Sequence, residues 1–399
     1  MASEARQSTG GGFQLAASLG RLGTESAFEV LARADVLRQS GVPVINLGIG
    51  QPDFRTPDHI VQAGKDALDA GAHGYTPAAG LPELRESVAR HWTRRLSKPV
   101  GADEVLIVAG GKVTMFFAIL MFGEPGAEIL YPNPGFPIYE SVIRYSGATP
   151  IPIALQEARG FTFDPDRVVD QITSETRLLI LNSPANPTGG VVGRDVLDRL
   201  VAGLEQHPHV AILSDEIYDH ILYDGREHVS LLDYPQIRDR LIVLNGWSKT
   251  YAMTGWRLGY GFWPHDLLPH AERLAINSYS CPNAATQHAG LAALEGPQDA
   301  VTAMVEEFAA RRTVVVDELN GVPGFSCVEP AGAFYAFPNI TATGFSAPQL
   351  QDKLLEEAGV ATVAGTSFGA YGQDYLRISY ANSTENIREA VGRIRRLLS

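Results

Sequence analysis

The chain has 399 residues, 45% of them hydrophobic and 19% charged, a globular balance that excludes intrinsic disorder. At this length one core usually stops growing, so two domains are expected. Lys and Arg number 32 against 45 Asp and Glu, and the net charge of −13 leaves little attraction to the phosphate backbone of a nucleic acid. The two cysteines, Cys281 and Cys327, lie far apart, form no metal-like or redox-like pair, and suit a reducing cytoplasm.

Residues 1–12 are polar and rich in Gly and Ser, lack the apolar core of a secretory signal, and are expected to be a frayed tail. Residues 26–39 carry a helical alternation that Gly41 ends. A short strand from Val44 then enters a turn containing Gly48 and Gly50, where the backbone can approach a ligand closely. The string Tyr75-Thr76-Pro77-Ala78-Ala79-Gly80-Leu81-Pro82 predicts a turn followed by a helix, with proline in its first turn. Arg90, Arg94, Arg95 and Lys98 follow at helical spacing and predict a solvated face.

Residues 104–108 predict a strand, and Ala109-Gly110-Gly111-Lys112 opens an apolar helix over 113–122. That run is about half of the ~20 residues a membrane span needs, so a buried helix is expected. Strand, glycines and helix start together offer backbone N–H groups to an anion, with neither Rossmann nor P-loop spacing. A strand over 128–131 leads into Pro132-Asn133-Pro134-Gly135-Phe136-Pro137-Ile138-Tyr139. A further strand over 178–181 leads into Asn182-Ser183-Pro184-Ala185-Asn186-Pro187-Thr188-Gly189-Gly190, a rigid loop of the kind that carries sites. Residues 210–213 form a buried strand ending at Ser214-Asp215-Glu216-Ile217-Tyr218, and a carboxylate there is costly unless it is paired. A helix N-cap is the plainer role for Asp215.

The apolar run 241–244 delivers Asn245-Gly246-Trp247-Ser248-Lys249-Thr250-Tyr251, with Arg257 beyond it. A lysine kept from water by Trp247 and Trp256 loses proton affinity and becomes an amine nucleophile able to form a Schiff base. Arg257 is a planar cation suited to phosphate. Residues 258–263 read as a returning strand and 300–319 as a long helix. In Tyr375-Leu376-Arg377-Ile378-Ser379-Tyr380, strand alternation buries Leu376 and Ile378 and puts Arg377 on the other face.

These motifs, in this order and over nearly the whole chain from about residue 25, resemble the class I/II aminotransferases of the fold type I pyridoxal-phosphate enzymes. The resemblance implies an α/β fold: a large domain with a mostly parallel sheet flanked by helices, and a smaller α/β domain. The expected division is 1–50 for the N-terminal arm and part of the small domain, 51–290 for the cofactor-binding domain, and 291–399 for the connecting helix and the rest of the small domain. The cofactor implied is pyridoxal 5'-phosphate, with Lys249 as its Schiff-base lysine and as general base and acid. Gly110, Gly111 and Lys112 would form the phosphate cup mainly through backbone amides, joined by Ser248 and Arg257. Phe136 would stack on the pyridine ring, and Asn186 and Tyr218 would hydrogen-bond its phenolic oxygen. Asp215 would pair with the ring nitrogen and keep it cationic. Tyr75 would reach across a homodimer interface to the partner's phosphate. Gly50, Asn186 and Arg377 would hold the substrate, Arg377 gripping the α-carboxylate at two points.

The activity implied is exchange of an amino group between an L-amino acid and a 2-oxo acid, 2-oxoglutarate foremost, in the cytoplasm, without metal, nucleic acid or membrane. The apolar helix carries no charge beyond its leading Lys112, and no motif marks a second cation for a distal carboxylate. Aspartate, alanine, aromatic or broad donors all remain open. A lyase on the same fold is the alternative. A regulatory sensor of this fold is less favoured, since about two dozen residues precede the family pattern and the charge is acidic.

Overall fold

The computed structural model describes residues 14–399, so the tail expected over 1–12 lies outside the described residues. At its centre is a seven-stranded sheet in the spatial order Val105–Val108, Gly259–Phe262, Leu241–Gly246, Ala211–Asp215, Thr176–Asn182, Glu128–Asn133, Thr149–Ala154. Gly259–Phe262 runs antiparallel to both of its neighbours and every other pairing is parallel. The apolar runs read from the sequence fall on these strands because a parallel sheet covered on both faces needs hydrophobic side chains on both. Leu178 and Ile180 pack into the core on one face with Leu213 and Leu244. Leu179 and Leu181 pack into the opposite core with Ile212 and Val243.

Helices complete the two outer layers. The apolar helix Lys112–Phe122 lies on the first face, where Met115, Ala118 and Ile119 are buried. Pro82–Thr93 lies on the second, burying Leu84, Val88 and Trp92. The predicted solvated face of this segment is only partly solvated. Arg90 pairs with Glu295 at the surface, but Arg95 turns inward over the Trp92 ring and pairs with the buried Asp219 at 2.7 Å. Helical periodicity could not show this, because the partner is a long-range one.

A third core surrounds the small antiparallel sheet Val363–Ala364, Leu376–Ser379, Tyr335–Ala336 and the long helix Asp299–Asn320. The two-residue strand Ile45–Asn46 pairs in parallel with Val360–Ala361, which ties the N-terminal segment to the C-terminal one. The helix expected over 26–39 is present as Ser26–Gln39.

The parallel strands set the place of the site. Asn133, Asp215 and Gly246 are strand-terminal residues, and the loops that carry Gly110, Phe136, Asn186 and Lys249 all leave carboxyl ends. In open α/β sheets this edge is where ligands bind.

Candidate active site

Lys249 belongs to the single helical turn Trp247–Thr250 that follows the buried strand Leu241–Gly246. Its Nζ donates to the Gly50 carbonyl at 2.6 Å and lies 5.7 Å from the Tyr218 ring centre and 5.8 Å from that of Phe334. Burial, then the nearby Arg377, Arg257 and Lys112, lower its pKa to about 8, while Glu25 opposes the shift. Water is excluded by these aromatics more than by the tryptophans. Trp247 is fully buried behind the turn, its indole N–H donating to the Gly290 carbonyl at 3.0 Å.

The depressed lysine has a thermodynamic consequence in the cofactor-free protein. Between about pH 8 and the ordinary lysine value of ~10.4, the unfolded chain holds a proton that the folded chain lacks, so stability rises with pH across that window. Below it, both states are protonated and the full destabilisation is present. Lys249→Met is therefore expected to stabilise the cofactor-free protein at pH 7 by up to about 3 kcal/mol. The difference should vanish above about pH 10.5, as read by chemical denaturation at several pH values. A gain that does not depend on pH would contradict the depressed pKa.

Asp215 ends its strand fully enclosed, and desolvation raises its carboxyl to about 6. Its Oδ2 accepts from the Tyr139 hydroxyl at 2.6 Å and its Oδ1 from the Ile217 N–H at 3.3 Å. Glu216, next in the chain, has other partners: Ser214 Oγ donates to it at 2.8 Å and His228 Nε2 lies 2.8 Å away. The loop beyond is anchored by Asp219, held between Arg95 and His220, with the His91 ring stacked on His220. The Tyr218 hydroxyl meets that of Tyr335 at 2.7 Å.

On the opposite wall Arg377 is 2% exposed. Its guanidinium is sandwiched between the rings of Tyr335 and Phe368, each 4.8 Å away. It donates to Asn186 Oδ1 at 3.0 Å and to the Gly48 carbonyl, while its Nε has no partner among the described residues. A buried cation left with a free donor is poised for an anion. Gly50 is beside it, and a Cβ there would collide with the Tyr335 hydroxyl.

A second anion cradle forms where strand Val105–Val108 turns into the helix Lys112–Phe122. Gly110 adopts a positive φ of 94°, and a Cβ there would strike the Arg257 guanidinium. Gly111 stands at the N-cap with no side-chain cap, leaving the helix start to a ligand. Ser248 is buried within the Lys249 turn. Lys112 does more than lend a backbone amide: its ammonium pairs with Glu25 at 2.9 Å and lies 5.1 Å from the Phe136 ring centre. Tyr75 stands apart from these contacts, 92% exposed in the loop before Pro82.

Three residues of this site carried no sequence signal that was read. Tyr335 sits in the aromatic string Gly332-Ala333-Phe334-Tyr335-Ala336-Phe337, a pattern that could have marked it. Tyr139 follows Phe136 by one helical turn. Glu25 lies just before the first helix and resembles any capping-region acid.

A lowered lysine, a buried carboxylate at the end of a neighbouring strand, an aromatic ring beside the helix start and an anion cradle at that start together fit pyridoxal phosphate. The class the fold and site define is that of an enzyme using this cofactor. The family model for aminotransferase class I and II matches residues 42–394, and the chain belongs to that family. It is 39% identical over 362 residues to an aspartate aminotransferase of Pyrococcus horikoshii, covering 89% of this chain and 90% of that one. The solved aspartate aminotransferase of Rhizobium meliloti superposes with a TM-score of 0.92 at 35% identity, covering 97% of this chain and 99% of that one. The Thermus thermophilus aspartate aminotransferase, solved with maleate, gives 0.90 at 35% identity over 96% of this chain and 99% of that one. The protein is an aminotransferase, its cofactor is pyridoxal 5'-phosphate, and its substrates are small amino and oxo acids.

Proposed function

We propose that this enzyme moves the amino group of L-aspartate to 2-oxoglutarate, working as a cytoplasmic homodimer. The observation that carries the donor choice is Lys112. Its ammonium stands beside Phe136, within electrostatic range of Lys249, and among the described residues its ion pair is with Glu25. Arg377 takes the α-carboxylate and Lys112 the distal one, with Glu25 giving way to the substrate. Relatives that carry the name aspartate aminotransferase, and maleate in the Thermus protein, are in keeping with a dicarboxylate.

Bound pyridoxal phosphate supplies the electron sink that stabilises a substrate α-carbanion. Lys249 Nζ would hold the cofactor and, with its lowered pKa, would serve as the base and acid that moves the substrate α-proton. Asp215 would keep the ring nitrogen protonated. Phe136 would support the ring face, and Asn186 and Tyr218, now bonded to Arg377 and Tyr335, would bind the phenolic oxygen. Gly110, Gly111, Lys112 through its amide, Ser248 and Arg257 would bind the phosphate. Gly50 lines the substrate carboxylate site.

Residues 51–290 act as the cofactor domain, while the described residues up to 50 join the connecting helix and the rest of 291–399 in the smaller one. The exposed Tyr75 reaches the partner subunit's phosphate, and the exposed Leu68 and Ile276 suit a covered surface. Among the described residues no helix is long and apolar enough to cross a membrane, and both cysteines are free. With a net charge of −13, no nucleic acid is a partner.

The test is the visible spectrum with single amino acids and no oxo acid. Aspartate should convert the band to the amino form of the cofactor and release oxaloacetate, with alanine and phenylalanine at least about tenfold slower. Lys112→Ala should lower kcat/KM for aspartate by roughly 30-fold, the loss of one charge-assisted contact, and leave alanine within threefold. Equal losses for both donors would overturn the role of Lys112. Pyruvate and ammonia appearing while the band persists would mean a lyase.

A further inference from the structure

We propose that Tyr139 is a positioning residue for this reaction: its buried hydroxyl holds the Asp215 carboxylate ionised and aimed at the cofactor's ring nitrogen, while its ring braces Phe136. The proposal rests on the reading of Asp215 given above.

Tyr139 lies in the first turn of the helix Ile138–Ser146 and has no exposed surface. Its hydroxyl reaches Asp215 Oδ2 at 2.6 Å, the length of an O–H···O⁻ bond strengthened by charge. The phenol can only donate here, because burial and the neighbouring carboxylate push its own pKa well above 10. Oδ1 accepts from the Ile217 N–H. Both carboxylate oxygens are therefore acceptors in the folded protein, and a carboxyl group in that position has no unopposed place for a proton. Desolvation works the other way and is the larger effect on Asp215, with the Tyr139 hydroxyl the first influence opposing it. Glu216 favours protonation and Lys249 disfavours it, and Tyr218 also lies within electrostatic range of Asp215.

The same residue reaches the platform. The Phe136 and Tyr139 rings meet edge to face, with centroids 5.7 Å apart and an interplanar angle of 83°. A single side chain thus fixes the two protein groups that contact the ring, one at its face and one at its nitrogen. If Asp215 drew the proton back from the ring nitrogen, the electron sink would weaken. Tyr139 sets that balance without touching substrate.

Tyr139→Phe removes one oxygen and keeps the ring that braces Phe136. In the holoenzyme, it should weaken cofactor binding about tenfold and raise the pH midpoint of the visible band by about one unit, since a neutral ring makes the lysine-linked nitrogen more basic. Incorporating 3-fluorotyrosine at 139, a stronger donor of nearly the same shape, should move the midpoint the opposite way. In an Asp215→Asn background, the Tyr139→Phe change should add nothing further to either readout. An unchanged midpoint and affinity in Tyr139→Phe, or full additivity with Asp215→Asn, would overturn the proposal. Should Asp215→Asn itself leave cofactor affinity and the band untouched, the failure would lie in the reading of Asp215, and the proposal would fall with it.

Discussion

Lys249→Ala should lower kcat by at least about 10⁴-fold and abolish the visible band, with the fold intact. The magnitude follows from losing the amine that attaches the cofactor together with the base that moves the α-proton, when proton transfer alone is worth roughly 10²–10⁴-fold. The fold should survive because, among the described residues, Nζ donates only to the Gly50 carbonyl, and because a depressed lysine burdens the cofactor-free protein. Stopped-flow turnover, absorbance and circular dichroism check the three parts. A small primary amine added to the variant should restore part of the proton transfer, since it supplies the missing group without its tether. Transamination retained without added amine would end the assignment of Lys249.

Arg377→Ala is the second large effect. Removing one partner of a buried, hydrogen-bonded charge pair costs 2–5 kcal/mol, which corresponds to about 30- to 4,000-fold in kcat/KM. The loss should be similar for every amino acid tested, because all share the α-carboxylate. This separates it from Lys112→Ala, whose loss should be confined to dicarboxylates. Arg377→Lys should recover little: lysine cannot reproduce the planar fork held between Tyr335 and Phe368 with donors spread over Asn186 and Gly48. Steady-state kinetics with aspartate and alanine measure both. A variant affected for aspartate alone would place Arg377 at the distal end of the substrate.

Much of this was legible in the chain because the physics involved is local or periodic. Strands such as Thr176–Asn182 and Leu241–Gly246 are apolar on both faces and end at turn residues, so their positions and their functional ends could be read together. Lys249, Asp215 and Asn186 stand at those ends. Pairings between distant segments were not legible. Arg95 shares the spacing of a solvated face, and only the buried Asp219, brought in from another loop, explains its inward turn. Tyr139 carries an aromatic that any helix against a sheet would bury, and nothing local shows that its hydroxyl meets Asp215 76 residues on. The local sequence marks Lys112 as an amide donor at a helix start, while its side chain meets Glu25, 87 residues earlier. Donor choice stayed open in the sequence for that reason.

Lys249 and Asp215 are carried by the seven-stranded sheet, whereas Arg377 and Tyr335 are carried by the small antiparallel one. The reacting groups and Arg377 thus sit on different sheets, while Lys112, on the helix that packs against the seven-stranded sheet, stays with the reacting groups. A change at Lys112 would retune which molecules are accepted while Lys249, Asp215 and Arg377 stay as they are.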